Sequence, residues 1–178
     1  MSSLPYFDIL LEPIGRGTRA LTVAFGRHVH WGYWDASRTA DGSMNDFATA
    51  ADRMSQRVWR AAGAKDGQRI LDVGCGFGGT IATLDEGLSN VDLVGLNIDG
   101  RQLERAREVV KPRKENRIEF VEGDACAMPF EDASFDTVLA VECAFHFPSR
   151  ARFFSEVRRV LRPGGRLALC DIVPSERG

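Results

Sequence analysis

Five short apolar runs, each separated from the next by a loop or a helix-length segment, constrain this chain more than any other feature. From Gln68 onward, strand-like stretches at Arg69–Val73, 91–97, Arg117–Glu122, Phe135–Val141 and 166–172 alternate with amphipathic stretches. Ile81, Leu84 and Leu88 share one helical face, as do Leu103, Ala106 and Val110. Phe153, Phe154, Val157, Val160 and Leu161 repeat at the same spacing. Pro112 helps close the second helix, and the RPGG turn at 162–165 launches the last strand. Strands alternating with helices, with little spare loop, predict a doubly wound α/β fold: a parallel sheet covered on both faces. Right-handed crossovers with one reversal place the first strand beside the fourth, giving the order 3-2-1-4-5.

The first 62 residues have a different texture, rich in aromatics and polar turns, including HVHWGYWD at 28–35. Phe47, Ala50, Ala51, Met54, Val58, Ala61 and Ala62 predict a helix over 46–62 that Gly63 stops. Residues 1–62 therefore read as a helical N-terminal unit, and 63–178 as the α/β core. A formal charge of −2 gives no electrostatic pull toward nucleic acid. The apolar runs are strand-length, too short to span a bilayer, and no basic start precedes the N-terminal apolar patch as a signal peptide would require. Cysteines 75, 126, 143 and 170 lack any metal-binding spacing, so no metal site and a cytoplasmic chain with reduced thiols are expected. His28 and His30 flank Val29 without a third ligand and read as surface or hinge residues rather than a metal site. The cluster Arg101, Arg105, Arg107, Lys111, Arg113, Lys114 and Arg117 is interleaved with acids and reads as a solvated face.

Ligands of such sheets bind beyond the carboxyl ends of the strands, near the reversal of strand order. LDVGCGFGG, at 71–79, lies there and satisfies two fingerprints. Gly74, Gly76 and Gly79 fit a dinucleotide loop; Asp72 with Gly74, Gly76 and Gly78 fits a loop for S-adenosylmethionine. Small residues and a helix N-terminus serve either ligand. Asp72 shifts the balance, because a carboxylate is a poor neighbour for pyrophosphate but suits an ammonium and a sulfonium. A dinucleotide site also wants an acid at the end of the second strand, where this chain has Asn97. Asp124, at the end of the third strand, either accepts a hydrogen bond from an adenine amino group or simply forms a turn.

Taken together, ILDVGCGFGGT, GLNIDGRQLERAR, FVEGDACAMPFEDASFDTV and RRVLRPGGRLAL resemble, in order and spacing, the class I S-adenosylmethionine-dependent methyltransferases over about residues 68–173. HVHWGYWD and GLNID followed by Gln102 resemble the small-molecule branch, with its tocopherol, sterol and natural-product methyltransferases. The resemblance implies that Asp72, Gly74 and Gly76 hold the methionine part, with Cys75 in the same loop. It places Asn97 and Ile98 on ribose and adenine, Asp124 and Ala125 on the adenine edge, and Gln102 on the ribose side. Tyr33 and Trp34 would belong to a lid over the donor.

Methyl transfer is an in-line displacement, so alignment and exclusion of water dominate. VECAFHF, 141–147, follows the fourth strand at the mouth of the site. His146 is the candidate base, with packing beside Phe145 and Phe147 as its structural alternative. Glu142 either orients the donor or acts on the acceptor. Trp31, Tyr33, Trp34, Phe145 and Phe147 suit an apolar small-molecule acceptor, and oxygen is the preferred nucleophile. A non-catalytic S-adenosylmethionine-binding subunit is the second reading. The family's final antiparallel hairpin is missing after VPSERG, so the chain reads as C-terminally incomplete. Its fifth strand would then be an open edge inviting a homodimer or other edge pairing, and donor binding should survive better than turnover.

Overall fold

The structure, a computed structural model, describes Glu12, residues 19–113 and residues 115–172. The expectations for the N-terminal apolar patch, for Lys114 and for the last six residues lie outside them. Helices α1 (Arg19–Ala24) and α2 (Met44–Ala61) precede β1 (Arg69–Val73), α3 (Gly79–Gly87), β2 (Asp92–Asn97) and α4 (Gly100–Val109). Then follow β3 (Arg117–Glu122), β4 (Phe135–Val141), α5 (Arg150–Val160) and β5 (Leu161–Cys170), with a short 3₁₀ turn at Ala144–His146. The strands form one parallel sheet in the order β3-β2-β1-β4-β5. The alternation in the sequence demanded this arrangement, and β1 sits at its centre, with Asp72 flanked by Gly95 and Leu139.

Because side chains alternate across a strand, β1 feeds two cores. Ile70 packs with Val58 and Trp59 of α2, Ile81 and Leu84 of α3, and Leu103 of α4. Leu71 and Val73 pack on the other face with Phe153, Val157 and Val160 of α5. Phe153 is fully buried, and truncating such a phenylalanine costs about 3–5 kcal/mol. Asp72 falls on the Ile70 face, at the end where the core gives way to a cavity.

Side-chain caps start three helices: Ser43 accepts from Asp46 N–H, Asp99 from Arg101 N–H and Ser149 from Arg152 N–H. Each such cap is worth about 1 kcal/mol. Helix α3 breaks the pattern. Its N-cap is Gly78, left-handed at φ 79° and without a side-chain cap, so its leading N–H groups stay available beside the glycine loop.

Two boundaries depart from the sequence reading. Helix α2 starts at Met44 because Ser43 caps it, not at 46. RPGG does not precede β5 but bulges within it. Leu161 pairs with Phe135, and pairing resumes at Arg166 with Thr137, the four turn residues being looped out while their flanks stay in the ladder. The strand ends at Cys170 rather than at 172. Among the basic cluster, Arg101 pairs with Asp99 and Arg105 with Glu108, while Arg107 is tied down to the Phe120 carbonyl at 2.7 Å. No described helix is long and apolar enough to cross a membrane.

Candidate active site

A cavity of about 840 Å³ opens over the carboxyl ends of β1, β2, β3 and β4. Its floor is the loop 72–76 with Gly79 and Thr80 of α3. Gly74 and Gly76 have φ of 71° and 54°, values that other residues adopt only with strain. Space is equally restrictive: a Cβ on Gly74 would lie 2.7 Å from Cys143 Cβ. Asp72 is 1% exposed, and its Oδ2 is buried without a hydrogen-bond partner. Burial pushes this carboxyl up to about 8. Cys75 and Cys143 flank it; burial, with Asp72 nearby, holds both thiols well above their ordinary range. They are therefore protonated packing groups rather than nucleophiles.

Asn97, Ile98, Gln102, Asp124 and Ala125 all line the same cavity. Asn97 is nearly buried, donating from Nδ2 to Gln102 Oε1 at 3.3 Å and accepting at Oδ1 from Asp99 N–H at 3.0 Å. Those contacts fix the Asn97–Gln102 pair as one unit on the wall. Ile98 is half exposed beside it. Asp124 uses Oδ1 to accept from Cys126 N–H at 2.7 Å, so the turn-forming role exists, and the second oxygen is the one available to a ligand.

Glu142 and His146 stand on the opposite wall with Phe145, Phe147 and Ile172. Glu142 is left-handed at φ 48°, a strained conformation for a residue that carries a Cβ. Burial raises its carboxyl above the usual range, against a hydrogen bond from Trp31 N–H at 2.7 Å. His146 is lowered by partial burial, with Asp171 opposing. Its ring lies 3.8 Å from that of Phe145, centroid to centroid, so packing beside Phe145 and a place on the cavity wall coexist.

The N-terminal segment is arranged differently from the expectation. Phe25, Arg27, His28, Val29, His30 and Trp31 reach the cavity, whereas Tyr33 and Trp34 are not on its wall. Tyr33 lies under the Arg57 guanidinium, 4.2 Å from its ring centre, and Trp34 donates to Asp46 Oδ2 at 2.7 Å. Both are therefore seated on α2. His28 is 3% exposed and hydrogen-bonded to His30 and Asp52, which corrects its reading as a surface residue. Among the described residues no group of three or more ligating side chains could hold a metal. The sequence reading missed His28, His30 and Asp171 as site neighbours. The alternation of His28 and His30 about Val29 was the available signal, since it puts both imidazoles on one side of an extended segment.

A loop with a buried acidic floor, at the reversal point of a doubly wound sheet, beside a polar wall and an aromatic wall, is the arrangement of a nucleoside-binding α/β enzyme fold. The methyltransferase-domain family matches residues 71–169, and the chain belongs to that family, the class I methyltransferases whose cofactor is S-adenosylmethionine. It is 37% identical over 173 residues to methyltransferase GfsG of Streptomyces halstedii, covering 94% of this chain and 60% of that protein. Over 172 residues it is 37% identical to the 27-O-demethylrifamycin SV methyltransferase of Amycolatopsis mediterranei (strain S699), covering 93% and 61%. The chain thus spans about three fifths of the length of these curated relatives. Among solved structures, the [4+2]-cyclase SpnF superposes with a TM-score of 0.76 at 28% identity, covering 95% of this chain and 59% of that one.

Proposed function

We propose that the chain is the donor-binding part of an enzyme that methylates a small, lipophilic, natural-product-like acceptor, with oxygen as the preferred nucleophile. The observation that carries the proposal is the buried, partnerless Oδ2 of Asp72 on the cavity floor. An isolated buried carboxylate is costly, and a ligand ammonium is the partner that relieves it. Bound there, S-adenosylmethionine supplies a methyl group already activated on a sulfonium.

The chain's own residues then have few tasks. Asp72 and the loop at 74–76 hold the amino-acid end, Asn97 with Gln102 the ribose, and Ile98, Asp124 and Ala125 the adenine. Residues 25–31 cap the cavity and exclude water, with Trp31 and Phe25 as the cap's share of an apolar chamber completed by Phe145 and Phe147. An imidazole nitrogen of His146 takes the acceptor hydroxyl's proton, and Asp171 steadies the resulting positive charge. Alignment contributes on the order of 7–11 kcal/mol and a base a further 10²–10⁴-fold, roughly. The reading includes a cytoplasmic setting and no nucleic-acid partner, and β5 at the sheet's edge offers its backbone to a second chain.

The test is incubation of the chain with donor and a panel of phenols, macrolides and sterols, read by product mass. A methylated product supports the proposal. Donor binding without turnover, also when the chain is extended beyond β5, favours a binding subunit; a product isomeric with its substrate favours cyclase chemistry like that named for SpnF. S-adenosylhomocysteine should raise Tm and NAD should not.

A further inference from the structure

The segment 27–31 that covers the glycine loop is held by a hydrogen-bonded chain whose proton count follows from its geometry. Nδ1 of His30 lies 2.8 Å from the Trp31 carbonyl. A carbonyl only accepts, so Nδ1 carries hydrogen. Nε2 of His28 lies 2.6 Å from Asp52 Oδ1. Burial works against that carboxylate, but hydrogen bonds from His28 and Arg27 keep it below its usual range, so His28 carries hydrogen on Nε2. The two remaining nitrogens, His28 Nδ1 and His30 Nε2, face each other at 2.9 Å. In two neutral rings both would be bare lone pairs. We infer that His28 and His30 hold one proton between them, and that this shared proton seats residues 27–31 on the glycine loop, making the two histidines positioning residues for the donor site.

The surroundings refuse a second proton, and the facing carboxylates favour the first against the cost of burial. Burial, together with a charged His28, holds His30 down to about 4, which refuses a second proton. Burial also lowers His28, with Asp52 opposing. Arg27 donates to both Asp52 of α2 and Glu86 of α3, so one guanidinium faces two carboxylates and a single shared proton balances the cluster. Arg113 reaches Glu86 only from the solvent side, at 3.5 Å. Ser55 and Thr80 complete the shell as neutral hydroxyls, Ser55 Oγ lying 3.1 Å from His30 Nε2 and 3.0 Å from Thr80 Oγ1. Ser55 can satisfy His30 in a neutral pair, but it leaves His28 Nδ1 as a buried acceptor without a donor, an unfavourable arrangement.

The seat is close. A Cβ on Gly79 would collide with the His28 ring, and one on Gly76 with Val29. Loss of the proton sets two lone pairs against each other at the point where the segment presses on α3. Cap closure is therefore complete at low pH and lost as pH rises through the pair's titration. Asp72 acts in the opposite sense, since its ionisation strengthens binding of an amine.

Two measurements on the full chain test this. Imidazole ¹⁵N and ¹H spectra on the acid side of the pair's titration should show one strongly deshielded, slowly exchanging proton and intermediate shifts for His28 Nδ1 and His30 Nε2. Two neutral rings, or two imidazolium rings, would overturn the inference. S-adenosylhomocysteine affinity should lose about tenfold more between acid and alkaline plateaus in wild type than in His28→Gln; equal pH dependence would also overturn it. The consequence rests on the donor-site reading, but the spectra need no ligand. Failure of S-adenosylhomocysteine to bind at any pH would refute the donor site and leave the shared proton to be decided by the spectra alone, as it is if the variant misfolds.

Discussion

Trp31 donates its backbone N–H to Oε2 of Glu142 at 2.7 Å, joining the covering segment to a residue 111 positions later at the tip of β4. The bond crosses the cavity mouth and so ties the cap to the core sheet. Glu142→Ala should weaken S-adenosylhomocysteine binding about 5–30-fold, the effect of about 1–2 kcal/mol. Glu142→Gln, which keeps an accepting oxygen, should stay within about threefold of wild type. Calorimetric titration separates the two; equal losses would mean that charge, not the clasp, matters.

Asp72 sets a pH dependence of stability. The unfolded chain ionises this group near its ordinary value of about 4, while the folded chain keeps the proton until about 8. Its contribution is therefore full below about 4 and lost as pH rises toward about 8, at roughly 1.4 kcal/mol per pH unit. Asp72→Asn should flatten that slope in denaturant melts from acid to mildly alkaline pH.

The same residue makes a second forecast. At neutral pH an amine ligand must ionise Asp72, so S-adenosylhomocysteine binding should release close to one proton. Titrations in buffers of differing ionisation enthalpy measure it. Asp72→Asn should abolish the release and weaken binding by about tenfold or more, on the scale of a lost charge-assisted hydrogen bond.

His146 is held below its ordinary pKa by burial, so it is already neutral, and able to accept a proton, near pH 7. Turnover on a hydroxyl acceptor should rise with pH on the acid side of the usual histidine range and be flat at neutrality. His146→Ala should lower kcat about 10²–10⁴-fold while leaving donor affinity within about twofold. A matching fall in affinity would mean that the residue shapes the donor pocket instead.

Glycine positions offer a contrast. Gly79→Ala drives a methyl into His28, whereas Gly164→Ala, at φ 81°, meets nothing within 4 Å. The first should reduce donor affinity by more than about tenfold; the second should cost about 1–2 kcal/mol of stability through backbone strain alone and leave affinity unchanged.

The sequence determined the sheet order, the position of the glycine loop and the residues at the strand ends. Such features are local: side-chain alternation, helical spacing and small residues at turns act within about ten positions of the chain. Asp72, Asn97, Asp124 and Glu142 were legible on the cavity wall because the carboxyl end of each strand is legible once the strand is, while Gln102, inside α4, came from the resemblance alone. Only tertiary structure decided that His28, His30 and Trp31, rather than Tyr33 and Trp34, face the cavity. It alone left Asp72 Oδ2 without a partner and set two imidazole nitrogens 2.9 Å apart. These outcomes depend on how α2 docks beside α3, a packing of distant surfaces that no short stretch of sequence encodes. Burial then converts that packing into chemistry, because a charge or lone pair with no water nearby must find its partner in another part of the chain or in a ligand.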